Sequence, residues 1–496
     1  MGRFVQTALG LAGLLLAAAA PGRAALYPYQ TFPVGSAATV VAIGDLNGDG
    51  RADVAVATSS AGDPVNDRSV FVFLQTSSGT LAPPVRYSTG VDATGIAIGD
   101  LNGDGRADVA VCGGNGVAVL RQQPDGTLAP AQFIPTGQGA DSVVIGDLNG
   151  DGRADLAVSH SDEPQISVLY QTADGSIAPP VRYAVPASGF DQLAVADVNG
   201  DGLLDLVFLR GTPGLANLAL LPQDPVTHRL RGPDRFGWGI NRSAHSLALG
   251  DFNGDGRIDV AATWGGYQPD CGLGIFHQLP NGSMHAPMPV ALADQPEAIA
   301  VADMNGDGLL DLVVAHGGFQ ELGTVLQQPD GSFAPETLDP LPYASHYAPQ
   351  GLAVGDLNGD GRPDVALADS NNGLVILYNA GSTDLTPPST TILNGPPLYS
   401  NQASATFQFV GLDDTTPVAG LSYSWSLDSG PWTGFSPSTT AALTGLAEGW
   451  HTFSVAARDA AGNIDPNPPS SRFAVDQTPP EELTLYGAGP YTAAVS

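Results

Sequence analysis

One nine-residue pattern, Asp-x-Asn-x-Asp-Gly-x-x-Asp, occurs seven times in the 496-residue chain, and its spacing restricts the fold more than any other feature. The first Asp of each copy is Asp45, Asp100, Asp147, Asp197, Asp251, Asp303 or Asp356, so successive copies lie 55, 47, 50, 54, 52 and 53 residues apart. A period near fifty predicts a propeller or array built from one repeated unit. Apolar runs stand on both sides of each copy, such as Val40 to Ile43 and Val54 to Ala57, and they are short enough to read as strands. A third run, such as Val70 to Leu74 or Val117 to Leu120, leads to a Gly-containing turn such as Asp125-Gly126 or Asp330-Gly331, which signals a hairpin. A fourth carries prolines, as in Ala82-Pro83-Pro84-Val85, and suits an edge strand. Four strands make one propeller blade. The seventh repeat runs out after its third strand, whereas Tyr29 to Val34 precede the first loop as Val85 to Thr89 precede the second. The amino-terminal strand is therefore expected to complete the last blade, closing the ring and covering its open edges.

The pattern itself is oxygen-rich. In the first copy Asp45, Asn47, Asp49 and Asp53 occupy positions 1, 3, 5 and 9, and Arg51 occupies position 7. The other sets are Asp100, Asn102, Asp104, Arg106 and Asp108; Asp147, Asn149, Asp151, Arg153 and Asp155; and Asp197, Asn199, Asp201, Leu203 and Asp205. Three more follow: Asp251, Asn253, Asp255, Arg257 and Asp259; Asp303, Asn305, Asp307, Leu309 and Asp311; and Asp356, Asn358, Asp360, Arg362 and Asp364. Hard cations take six to eight oxygens, and carboxylates and an amide at alternate positions can face one ion while glycine lets the chain turn. Position 7 is Arg in five copies and Leu in two, as expected if its backbone carbonyl is the ligand and its side chain is free. Position 2 is always apolar (Leu46, Leu101, Leu148, Val198, Phe252, Met304, Leu357), which predicts an anchor into the blade. An EF-hand would need a bidentate Glu at position 12, where this chain has Val56, Val111, Val158, Phe208, Ala262, Val314 and Leu367. A single such cluster reads as a surface turn. Seven copies sharing both oxygens and anchor predict up to seven structural Ca²⁺ ions, because magnesium's stricter octahedral geometry suits the loop less well.

The segments from Gly44-Asp45-Leu46-Asn47-Gly48-Asp49-Gly50 to Gly355-Asp356-Leu357-Asn358-Gly359-Asp360-Gly361 resemble the FG-GAP, or VCBS-type, repeats of integrin α propellers and many bacterial secreted proteins. The resemblance covers about residues 27–380 and implies an all-β fold, a seven-bladed β-propeller with calcium in its hairpin loops. After it the acidic loop disappears, and alternating stretches such as Ala405-Thr406-Phe407-Gln408-Phe409 predict a β-sandwich over 386–477. Gly449-Trp450-His451-Thr452-Phe453-Ser454-Val455 and Asp459-Ala460-Ala461-Gly462-Asn463 are similar to bacterial immunoglobulin-like modules. Thr386-Pro387-Pro388 recurs as Thr478-Pro479-Pro480, so 478–496 reads as the start of a further, truncated domain. The fourth repeat departs from the rest at Asp224-Pro225-Val226-Thr227-His228, which leaves its outer strands open.

Composition narrows the function classes. Fifty acidic residues against eighteen basic ones give a formal charge of −32, with no Lys at all, so nucleic acid is not an expected partner. Residues 1–24 read as a secretory signal, with Arg3, an apolar stretch from Leu9 to Ala20 and small residues before a cut after Ala24. A secreted, extracellular or cell-surface monomer without a spanning helix in its mature chain is expected. Two cysteines, Cys112 and Cys271, fall in different repeats and are read as free thiols. The leading function is a non-enzymatic binding or adhesion scaffold for an extracellular protein or glycan. The alternatives are a lectin stacking sugars on Trp238, Trp264, Tyr267 or Trp432, and a polysaccharide lyase or hydrolase using one of His160, His245, His277, His316 and His346. Those histidines match no nucleophile motif or zinc spacing, and packed or solvated roles suit them better.

Overall fold

The computed structural model describes residues 24–478 apart from 61, 64, 186–189, 211–217, 237–243, 268–270, 383–386, 414–415, 417 and 460–462. The signal segment, Trp238 and the segment after Thr478 lie outside the described residues, save for the backbone at Ala24. The chain divides into a unit over Arg23–Thr383 and another that holds the chain from Asp384 onward.

The described residues of the first unit form seven four-stranded antiparallel sheets. In the first sheet the strands Ala38–Gly44, Asp53–Thr58, Ser69–Phe73 and Val85–Ser88 lie side by side in chain order. The second and third strands are buried along their whole length, so they are apolar without alternation, as expected of strands covered on both faces. The fourth strand is largely exposed, which explains why prolines are tolerated just before it. The seventh sheet takes Leu352–Gly355, Asp364–Asp369 and Gly373–Leu377 from its own repeat and Gln30–Phe32 from the amino-terminal end. Gln30 lies opposite Ile376 and Phe32 opposite Leu374, which is the closure expected from the sequence. A second short ladder, with Ala24 opposite Ser382 and Leu26 opposite Asn379, lies just outside it. The first strands of successive sheets pack on one another, and that of the seventh returns to that of the first. This cyclic order is consistent with a β-propeller.

The fourth repeat does complete its sheet. Leu218–Leu221 pairs with Asp234–Phe236, and the turn between them is held by Asp224, whose carboxylate accepts the amides of Val226 and Thr227 at 3.0 and 2.8 Å. His228 takes the left-handed conformation there that glycine supplies in the other hairpins. Both cysteines are buried free thiols, and burial pushes Cys112 up to about 12, which disqualifies it as a nucleophile.

In the second unit a three-stranded sheet (Ser389–Asn394, Ser404–Leu412, Thr440–Thr444) and a four-stranded one share a single core. The four-stranded sheet runs Tyr399–Ser400, Ser470–Val475, Gly449–Arg458, Ser422–Leu427. The rings of Phe407 and Phe453, one from each sheet, stack at 4.0 Å. His451 is buried, bonded to the Ala447 carbonyl at 2.8 Å and to the Asp428 carboxylate at 2.7 Å, and both raise its pKa above 6.5. This contribution is complete below pH 6.5 and is lost as pH rises through the higher folded-state pKa. Because Asp428 is half in solvent, the loss should stay under about 1 kcal/mol. Denaturant unfolding of the wild type and Asp428→Asn across pH 6 to 9 checks this; an equal pH slope in both would assign the effect elsewhere.

Candidate metal centre

Each acidic loop joins the first strand of a sheet to its second. Position 1 organises it: the Asp45 carboxylate accepts the amides of Asn47, Gly48 and Asp49 on Oδ1 at 3.3, 2.7 and 3.1 Å and that of Gly50 on Oδ2 at 2.8 Å. Burial alone would raise its pKa, but the amides of Gly50, Gly48, Asn47 and Asp49 together hold Asp45 below the usual carboxylate range. Asp100 and Asp251 stand in the same cage and are lowered in the same way. Gly48 and Gly50 have φ of 79° and 81° with open space around them, so backbone conformation and not crowding selects glycine. Asn47 Oδ1 then accepts the Asp49 amide at 2.9 Å, and Asp49 Oδ1 accepts the Arg51 amide at 3.0 Å.

Position 2 is the anchor that the sequence predicts. Leu46, Leu101, Leu148, Val198, Phe252, Met304 and Leu357 are all fully buried. Position 9 differs in character from positions 1, 3 and 5, because Asp53, Asp108, Asp155, Asp205, Asp259, Asp311 and Asp364 have no solvent exposure. Asp53 accepts the Leu46 amide on Oδ2 at 2.9 Å and the Gln75 amide on Oδ1 at 2.7 Å. Burial raises it to about 6, with the charges of Asp49 and Asp45 adding to the shift and the two amides opposing it. Asp155 and Asp364 are also raised to about 6, and Asp205 and Asp311 to about 7, with burial the largest cause in each.

The expectation of a free side chain at position 7 is corrected. Arg51 Nε donates to the Gln75 carbonyl at 3.0 Å, and its guanidinium pairs with Asp49. Arg106, Arg153, Arg257 and Arg362 make the same two contacts, because a residue two places after an Asp in a tight turn lies within reach of its carboxylate. Sequence reasoning also passed over the residue these arginines reach, a buried Gln that opens the hairpin for Arg51, Arg106, Arg153 and Arg257 and the buried Asn379 for Arg362. Its signal was present: Gln75, Gln122, Gln171, Gln278 and Gln327 each stand four residues before the hairpin glycine.

The donor set at each loop is that of a hard divalent cation, with carboxylates at positions 1, 5 and 9, an amide oxygen at 3 and a backbone carbonyl at 7. In the fourth loop Oδ2 of Asp205 is buried with no hydrogen-bond partner, an orphaned acceptor of the kind a cation satisfies. The oxygens are not drawn to one point. Among the described residues no group of three or more His, Cys, Asp or Glu is arranged to hold an ion, since position 5 turns to its Arg and position 9 to two amides.

Four of the five histidines weighed for catalysis are hydrogen-bonded, one of them, His277, to Asn253 and Asp259 of the fifth loop itself. His160 bonds Ser167 Oγ at 2.9 Å, His277 Asp259 at 2.8 Å, His316 Glu336 at 2.9 Å and His346 Glu297 at 2.9 Å. Of the aromatic residues weighed for sugar stacking, Tyr267 is exposed and meets Phe319 edge-on, Trp264 is half-buried, and Trp432 belongs to the other unit.

The FG-GAP-like repeat family matches residues 45–111, 100–158, 251–314 and 303–367, which hold the acidic loops other than the fourth. The chain thus carries FG-GAP-like repeats on an all-β architecture consistent with a β-propeller. Among individual proteins, integrin alpha-V of Gallus gallus is 30% identical over 173 residues, covering 30% of this chain and only 16% of that protein. Two solved structures are similar at 18% identity. One is an Agrocybe aegerita lectin described as recognising non-reducing terminal N-acetylglucosamine, with a TM-score of 0.46 over 70% of this chain and 87% of that one. The other is the periplasmic gluconolactonase of Pseudomonas aeruginosa, with a TM-score of 0.47 over 64% and 97%.

Proposed function

We propose that the chain is an extracellular, seven-bladed β-propeller followed by an immunoglobulin-like module, and that it acts as a non-enzymatic scaffold for binding or adhesion. Its loops would hold Ca²⁺ through the carboxylates at positions 1, 5 and 9, Asn at 3 and the carbonyl at 7. The observation that carries this reading is that one oxygen framework recurs in all seven loops, each with a buried carboxylate at position 9 beside two others. A bound cation supplies the positive charge that offsets three carboxylates in one turn. The kinship of the repeats to those of integrin alpha-V supports an extracellular adhesive role. The loops account for the acidic chemistry, and four of the five histidines weighed for catalysis, His160, His277, His316 and His346, are hydrogen-bonded to neighbours, so the scaffold reading is preferred to an enzyme.

Native mass spectrometry of the full chain in calcium, followed by a glycan array and a protein-adhesion assay with and without chelator, tests this reading. Four to seven bound ions and calcium-dependent capture of a protein or glycan are expected. Fewer than four ions, or turnover of a polysaccharide that is abolished by replacing one of the five histidines, would overturn it.

The Arg at position 7 would compete with a cation for the carboxylate at position 5. Arg153→Leu, which reproduces the Leu203 and Leu309 loops, is therefore expected to tighten calcium binding at its loop by about two- to fivefold, the worth of an exposed ion pair. Calorimetric titration reads this directly, and weaker binding would show that the Arg supports the site.

A further inference from the structure

Seven buried carboxamides remain unexplained by the loop chemistry: Gln75, Gln122, Gln171, Gln223, Gln278, Gln327 and, in the seventh sheet, Asn379, each at 2% exposure or less. A carboxamide is costly to bury unless it is hydrogen-bonded, so its partners matter. In every case the main-chain amide donates to the position-9 Asp of its own sheet, at 2.7 to 2.9 Å. The side chain reaches in the other direction. Gln75 Nε2 donates to the Asp356 carbonyl in the seventh loop at 3.1 Å, Gln171 to Asp100 at 3.2 Å and Gln223 to Asp147 at 3.3 Å. Gln327 donates to the Phe252 carbonyl at 2.7 Å and Asn379 Nδ2 to that of Met304 at 2.8 Å. Each of these acceptors is position 1 or 2 of the preceding sheet's acidic loop.

Two links are not closed in this way, since Nε2 of Gln122 and of Gln278 is buried without a partner. There the hairpin turn itself sits on the preceding loop. A Cβ at Gly126 would stand 3.2 Å from the Asn47 carbonyl and one at Gly282 2.6 Å from that of Asn199. The hairpin glycines Gly79 and Gly175 lie over Asn358 and Asn102 in the same way, so the seating is independent of the glutamine bond.

We propose that Gln75, Gln171, Gln223, Gln327 and Asn379 are positioning residues that, with the hairpin turns at Gly126 and Gly282 seated at the two remaining joints, couple the acidic loops of adjacent sheets, so that cation loading spreads around the ring cooperatively. The proposal rests on the cation reading of the loops. Each of these five residues carries both bonds, its main-chain amide fixed to the buried Asp of its own sheet's loop and its side-chain amide to the carbonyl at position 1 or 2 of the preceding sheet's loop. In five loops the carboxylate at position 5 is turned to the Arg at position 7 and would have to turn from it to meet an ion, whereas in the Leu203 and Leu309 loops no Arg competes. A shift in one is passed to its neighbour through a contact with no solvent in it, which is the physical requirement for coupling between sites.

Native mass spectrometry across a calcium titration of the full chain separates the outcomes. Coupled loops load as a mixture of nearly empty and nearly full chains, with three- and four-ion species depleted. Gln171→Met and Gln327→Met keep the backbone bond but remove the link, and should raise those intermediate species roughly fivefold or more, the lower end of ordinary coupling factors. A purely structural glutamine would lower the melting temperature equally with and without calcium and leave the loading pattern unchanged, which overturns the proposal. So does a statistical spread of ion counts in the wild type, which needs no variant to fold. Absence of any calcium adduct would instead sink the cation reading beneath it.

Discussion

Removal of calcium is expected to lower the melting temperature of the repeat unit by ten degrees or more, the largest single effect the structure leads us to anticipate. Extracellular modules bind calcium with dissociation constants of roughly 10⁻⁴ to 10⁻³ M, so about 10 mM calcium stabilises one loop by roughly 1.4 to 2.7 kcal/mol. Seven loops would then contribute roughly 10 to 19 kcal/mol, comparable with the whole stability of an ordinary domain. The effect should be confined to the unit over Arg23–Thr383, because the acidic loops are all in it. Calorimetry with calcium and with chelator resolves this: a repeat-unit transition that does not move would remove the ions from the account of stability, while a shift in the second unit's transition would point to calcium outside the loops.

The next largest effect is expected at position 9, and it does not require calcium. Asp53→Ala takes the acceptor from two buried amides, those of Leu46 and Gln75, and each unsatisfied donor costs roughly 1 to 3 kcal/mol. A loss of about 2 to 6 kcal/mol should appear in denaturant unfolding even in chelator. Asp49→Ala, in the same loop, loses an ion pair and an exposed bond from the Arg51 amide that water can replace, and should cost less than about 1 kcal/mol in chelator, with its larger penalty seen only when calcium is present. Equal costs for the two in chelator would mean that the buried carboxylate carries no structural role of its own. Asp53→Asn, which keeps one acceptor oxygen, should lie between them.

Much of the architecture could be read from the chain, for reasons particular residues make clear. The loop spacing and its four strand-like runs predicted the sheet order, and the strand near Tyr29 was recognisable as the missing partner of the seventh repeat because it occupies the same place before its loop as Val85 does. Position 2 was legible because an apolar side chain inside an acidic turn can only point inward. The Arg contact was not, since variation between Arg and Leu at position 7 looks like indifference, whereas the guanidinium finds two acceptors wherever it occurs. The glutamines were missed for a nonlocal reason. Gln ordinarily stays in solvent, and Gln75 is buried only because the loop at Asp356, nearly the whole unit away in sequence, supplies its acceptor. The fourth hairpin lacked its glycine signal, yet Asp224 and a left-handed His228 make the same turn by other means.

The ladder that closes the ring also decides how the unit would respond to mechanical load. Gln30–Phe32 runs antiparallel to Gly373–Leu377, and the short outer ladder follows it with Leu26 opposite Asn379, so both ends of the unit leave from the same end of this seam. A pull between the two ends would open that seam like a zipper, one pair at a time from Leu26 and Asn379 inward, instead of shearing all its bonds at once. Traction entering through a partner elsewhere on the ring and leaving at the carboxyl end alone would not load the amino-terminal strand in this way. Where the unit is tethered therefore sets whether a given force leaves the ring closed or opens it at its seam.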